Sequence, residues 1–204
     1  MFSDPAGHLI LRNDYATMYT DRRSHKERRF TMQTVLTIPL LWLMSWLSVM
    51  LHELGHAMGF GLGNGKGTWR VFVGSGPELL QIGRLTLQLF PFGGYFIPDD
   101  DTEPKTKQGK LLMLAGGPLT SLMLTVLFGV LRFAIFTPDL SKGMLYGMLV
   151  YLSAFMLLFN LFQFLFTVIP IRYRIVCRGT VSDGMQFVHV LKQKGDQTNT
   201  EEQE

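Results

Sequence analysis

A single cysteine, Cys177, in 204 residues excludes an internal disulfide and leaves the redox compartment open. The first thirty residues hold no apolar run of the kind that heads a secretory signal. The expectation is therefore that no signal is cleaved and that the first apolar helix inserts the chain. No internal repeat is visible, which argues against the paired halves of a transporter. The net charge is +3, and the basic residues flank apolar blocks rather than sharing a soluble face with aromatics. That distribution fits a membrane surface and excludes nucleic acid as the expected partner.

What the chain does have is apolar sequence in blocks. Hydrophobic residues make up 47 % of it. Thr31–Leu51, Leu111–Phe136 and Gly143–Ile171 are each long enough to cross about 30 Å of hydrocarbon at about 1.5 Å per helical residue. Three membrane helices are expected, Pro39 kinking the first. The run GLGNGKG, Gly61 to Gly67, ends that helix, because so many glycines cannot hold one. Between the first two blocks, Leu85, Leu87 and Leu89 alternate with Thr86 and Gln88, a period of two bounded by glycine and proline clusters. This predicts a small β-hairpin element. Pro98–Lys110 reads as a charged loop, and its acidic triple Asp99, Asp100 and Asp101 as a solvated part of it. The expected fold is a mainly α membrane protein, with a three-transmembrane-helix core and a membrane-associated β-hairpin between the first and second helices. Its organisation is a polar N-terminal tail over 1–30, a core over 31–192 and a disordered acidic tail over 193–204.

The chemistry is concentrated in SVMLHELGHAMGF, Ser48 to Phe60. A charged side chain deep in a membrane helix costs roughly 2.5–3.5 kcal/mol on insertion scales, so two histidines and a glutamate there require a use. His52 and His56 are four apart and lie on one helix face, where both imidazoles can meet one ion beside Glu53. Two nitrogen ligands with a neighbouring carboxylate suit zinc, and Glu53 suits the general base that takes a proton from an activated water. Gly55 leaves the approach to this pair free of side chain. A third ligand has to arrive from elsewhere, and on residue type Asp183, Glu78, His189, Asp99, His8 and His25 all qualify. Asp183 stands in an Asp-Gly just past a membrane block, where Gly184 would allow a tight turn.

Together these segments resemble the site-2 protease family of intramembrane zinc metalloproteases. The carriers are HELGH at His52–His56, GGPLTS at Gly116–Ser121 and SDG at Ser182–Gly184, in family order. The stretch Val73–Ile97, with its Pro-x-Gly-Gly-Tyr ending at Tyr95, resembles the family's membrane-associated hairpin. The resemblance runs from about Thr31 to about Lys192 and implies Asp183 as third zinc ligand. Two departures stand out. The Gly-Pro string carries Ser121 where the family often has asparagine. Thr167 stands three before Pro170, where the family has the asparagine of Asn-x-x-Pro, and Asn160, the nearest asparagine, is two helical turns earlier. Asn160 is thus the expected amide for orienting a substrate carbonyl. No stretch has the length of a PDZ domain or resembles a nucleotide-binding regulatory module.

The function so implied is zinc-dependent hydrolysis of a peptide bond within or beside a transmembrane segment of a substrate protein. The bilayer and that substrate are the expected partners. An unwound substrate would pair with a strand edge over Leu85, Leu87 and Leu89. The family arrangement places the hairpin, the site and the C-terminus toward the cytoplasm of a bacterial cell membrane. The basic residues from Lys66 to Lys110 and from Arg172 to Lys194 agree with this, whereas the cluster Arg22 to Arg29 does not. Two rival classes are a catalytically silent scaffold that binds membrane helices and a metal transporter.

Overall fold

The structure is a computed structural model and describes residues 35–99, 102–139, 142–172 and 181–193. The cluster Arg22–Arg29, His8, His25, Asp100, Asp101, Cys177 and the acidic tail lie outside the described residues. The described residues from Leu41 onward form one compact unit, to which 35–40 do not belong.

Among the described residues, three helices are long and apolar enough to cross a membrane. Helix α1 spans Val35–Leu62 and runs through Pro39. Helix α2 spans Lys107–Val130 and continues as a π-helical turn, Leu131–Ile135, while α3 spans Gly143–Val168. Two boundaries differ from expectation. The first helix extends beyond the apolar block that ends at Leu51 to Leu62, so His52 lies ten residues, about 15 Å, before its end. The second begins within the expected charged loop, because Thr106 caps it by accepting from the Gly109 amide at 3.0 Å. The Gly61–Gly67 run does end α1. Asn64 and Gly67 take positive φ, and the Gly65 amide returns to the Phe60 carbonyl at 2.9 Å.

Within the protein, 22, 22 and 17 % of the three apolar windows is buried, so little apolar area holds helix to helix. Backbone proximity does so instead. Gly55 and Gly59 of α1 and Gly63, the residue just past its end, recur every four residues along one face. A Cβ at Gly55 would stand 2.5 Å from the Gly116 carbonyl oxygen, one at Gly59 2.8 Å from the Leu112 carbonyl carbon, and one at Gly63 2.6 Å from the Gly109 oxygen. Partner numbers fall as α1 numbers rise, so α1 and α2 run antiparallel with their backbones in contact. Gly55 therefore serves packing against α2, not clearance in front of the histidines.

Helix α3 is tied to α1 by a buried polar pair: Ser48 donates to Asn160 Oδ1 at 3.0 Å, and Asn160 Nδ2 donates to the Met156 carbonyl at 2.8 Å. A short helix α4, Asp183–Lys192, follows. Its cap Ser182 accepts from the amides of Met185 and Ile171 and donates to the Ile169 carbonyl at 2.7 Å. That hydroxyl fixes the start of α4 beside the end of α3. Gly184 is helical rather than part of a turn, and its Cα packs on the Val168 carbonyl with no room for a side chain.

Strands β1, Trp69–Ile82, and β2, Leu85–Pro98, form the expected hairpin as an antiparallel pair. The pairing is irregular, with Gly74 and Gly76 at positive φ in β1 and Gly93 in β2. As a result Val71, Phe72 and Val73 are partnered twice, by Phe96, Tyr95 and Gly94 and by Leu85, Thr86 and Leu87. Val71 and Val73 are fully buried and form a small core with Val49 of α1, against which Leu85, Leu87 and Phe96 pack. The middle of β2 lies along α1, with Phe90 and Phe92 meeting the Trp42 ring edge-on at 6.2 and 6.4 Å. Leu79, Leu80, Ile82 and Phe92 point outward and are exposed.

Candidate metal centre

Helical periodicity stacks His52 on His56, their ring centroids 5.0 Å apart, and both are buried with Glu53. Asp183, the first residue of α4, faces them. Its Oδ2 is 3.4 Å from His52 Nε2 and 3.3 Å from His56 Nε2. Among the described residues these three form a group whose ligand atoms lie within 4.8 Å of one another.

The far side of each ring is already committed. His56 Nδ1 donates to the Met113 carbonyl at 2.8 Å, and His52 Nδ1 pairs with the fully buried Ser121 Oγ at 2.8 Å. With its proton on Nδ1, neutral His56 turns a lone pair at Nε2 toward an ionised carboxylate. Two acceptors at 3.3 Å require a proton or a cation between them. A tetrahedral zinc with bonds of about 2.0–2.1 Å has ligand–ligand edges of about 3.3–3.4 Å, the spacing observed from Asp183 Oδ2 to each imidazole. Nδ1 contacts that fix tautomer and ring orientation are also what zinc-ligating histidines show. The residues fit the ion on spacing, charge and donor type.

Glycines make the space. A Cβ on Gly117 would press on His56 Nε2 and stand 2.7 Å from His52 Nε2, so α2 passes the imidazoles at a position where no side chain fits. On the other side, a Cβ on Gly94 of β2 would stand 2.7 Å from Glu53 Oε1. The hairpin thus lies against the proposed base.

The remaining sequence-based candidates go elsewhere. Glu78 and His189 are exposed, and Asp99 accepts a hydrogen bond from the Thr68 hydroxyl at the foot of the hairpin. Asn160 is completely buried and bonded at both ends inside the protein, which makes it a tie between α3 and α1 rather than a group open to substrate. Leu85 and Leu87 are not at a free edge: Leu85 has partners in Val71 and Ile82, and Leu87 in Val73 and Leu80. Leu89 sits half-buried on the same strand. Gly117, Ser121 and the Met113 carbonyl were missed by sequence reasoning. The available signal for Gly117 and Ser121 was the family string GGPLTS, in which Ser121 was noted only as standing where the family often has asparagine; nothing in the sequence marked Met113.

A family model described as Peptidase family M50 matches residues 40–199 of the chain. No curated protein matches it.

Proposed function

Starting from the fact that the chain belongs to peptidase family M50, the site-2 protease family, we propose that it is an integral membrane zinc metalloendopeptidase. In this reading it cleaves a substrate protein within or beside a transmembrane segment. The observation that carries the proposal is the approach of Asp183 Oδ2 to both imidazoles, 3.4 Å from His52 Nε2 and 3.3 Å from His56 Nε2, with the outer imidazole nitrogens already bonded.

His52, His56 and Asp183 would hold the zinc ion, which when bound would supply an activated water and polarise the scissile carbonyl. Glu53 takes the proton from the attacking water and delivers it to the leaving amine, so the proton count balances across the step. Burial of Glu53 keeps bulk water from competing for that proton. Ser121 and the Met113 carbonyl hold the imidazoles in the orientation the metal needs. A helical substrate has to unwind first, because its backbone hydrogen bonds shield the carbonyl. Gly94–Ile97 suits the unwound strand better than Leu85–Leu89 does, since each of its residues has a single partner, in Val73–Arg70, and Gly94 lies beside Glu53. The orientation proposed is that of the family, with the hairpin toward the cytoplasm.

The test is zinc analysis of the purified wild type, Glu53→Gln and Asp183→Ala, beside mass spectrometry of a single-span substrate. Wild type should bind one zinc and cleave. Glu53→Gln should bind zinc and lose cleavage by at least about a hundredfold. Asp183→Ala should lose the metal. Zinc binding with no cleavage of any single-span protein would instead favour a scaffold, and zinc flux in vesicles a transporter.

A further inference from the structure

The Gln163 carboxamide oxygen is buried in α3 with no hydrogen-bond partner. Such an atom is expensive to leave unpaired, and few native groups are left so without a role. Its position on the helix suggests the role. Three residues earlier, Asn160 touches Ser48 of α1; four and five residues later, the carbonyls of Thr167 and Val168 meet Gly184 of α4. Residues 160, 163 and 167 share one helical face, so Gln163 lies between the contacts of α3 with α1 and with α4.

Its height follows from the same contacts. Both α1 and α3 run from the Ser48–Asn160 pair toward Asp183. His52 is one turn beyond Ser48, about 6 Å of rise, and Gln163 is about 4.5 Å beyond Asn160. Gln163 is thus level with the metal-binding imidazoles and one turn from the start of the helix that carries Asp183. Asn160, the amide expected from the sequence to meet substrate, is spent on Ser48 and Met156. Gln163 is the other amide on this face, and its oxygen has no partner within the protein.

We propose that the Gln163 carboxamide binds the backbone of the unwound substrate segment, accepting from a substrate N–H next to the scissile bond. The partner chemistry is an extended peptide that has lost its helical hydrogen bonds and arrives with free donors, which a folded membrane helix does not offer. This assignment rests on the protease reading above and adds a substrate-positioning residue to it.

The test uses the full chain in detergent or nanodiscs carrying Glu53→Gln, so that binding is read without turnover. The probe is a fluorescent single-span peptide that the wild type has been shown to cleave, and zinc content is measured in parallel. Gln163→Met keeps the length and apolar volume of the side chain but removes the acceptor. It should retain one zinc per chain and bind the peptide about tenfold more weakly, the effect of one lost hydrogen bond. Affinity within twofold of the parent overturns the proposal, and so does loss of zinc, which would make Gln163 a support of the metal site. If Gln163→Met does not accumulate, Gln163→Asn withdraws the same group by one methylene and should weaken binding at least threefold; parental affinity would again overturn it. Because the probe is a proven substrate, failure here leaves the protease reading standing, whereas absence of any cleaved peptide defeats that reading first.

Discussion

Gly117 lies so close to His52 that a methyl on its Cα would stand 2.7 Å from Nε2, and the same methyl would press on His56 Nε2. The atom that a side chain would occupy there belongs to the space between the two metal-facing nitrogens. Gly117→Ala should therefore lower zinc affinity at least about tenfold, on the scale of disrupted zinc surroundings, while the helical circular dichroism stays unchanged. A variant that keeps wild-type zinc affinity would show that the ion sits elsewhere.

Ser121→Ala removes the partner of His52 Nδ1 without touching a ligand. Zinc affinity should fall by about 10–100-fold, measured by competition with a chromophoric chelator. Ser121→Ala with unaltered affinity would reduce Ser121 to a packing residue.

The Ser48–Asn160 pair should be worth about 0.6–1.7 kcal/mol of coupling between α1 and α3, the range for hydrogen bonds between membrane helices. Ser48→Ala, Asn160→Leu and the double variant form the cycle, read by unfolding in mixed micelles. Zinc content should be unchanged throughout. A drop in substrate affinity with no stability coupling would return Asn160 to the role that the sequence suggested.

Lys107, at the start of α2, donates to the carbonyls of Leu191 at 2.8 Å and Gln193 at 3.1 Å, at the C-terminal end of α4. It stabilises the end of the helix whose first residue is Asp183. Removing this exposed contact with Lys107→Met should cost about 0.3–1 kcal/mol and appear as faster zinc loss to a chelator, with the initial zinc stoichiometry intact. Identical release rates would show that α4 is held by its Ser182 end alone.

Much of this was legible without coordinates because it is local. The three apolar blocks, the alternation at Leu85–Leu89 and the four-residue spacing of His52 and His56 each depend on one element's own period, and each was realised. The glycines misled because a glycine carries no pattern of its own. Gly55 was assigned to the site and belongs to packing, while Gly117 stood in the GGPLTS string with no role of its own and borders the site. Asn160 and Leu85–Leu87 were misplaced for a related reason. An amide in an apolar helix announces that it needs a partner, and an alternating strand announces two faces, but neither says which neighbour will satisfy it.

The sequence by itself determined that two imidazoles and a carboxylate share one turn of a helix fit for lipid, since a helix repeats every 3.6 residues wherever it is placed. Only the tertiary structure brings Asp183 Oδ2 within 3.4 Å of both imidazoles, a carboxylate that the sequence singled out by resemblance alone. Asp183 reaches the histidines because Gly55, Gly59 and Gly63 let α2 lie backbone to backbone on α1, and because Ser182 and Gly184 seat α4 against the end of α3. Those are contacts between elements, fixed by shape and by the need to satisfy buried polar groups, and no periodicity within a single element encodes them.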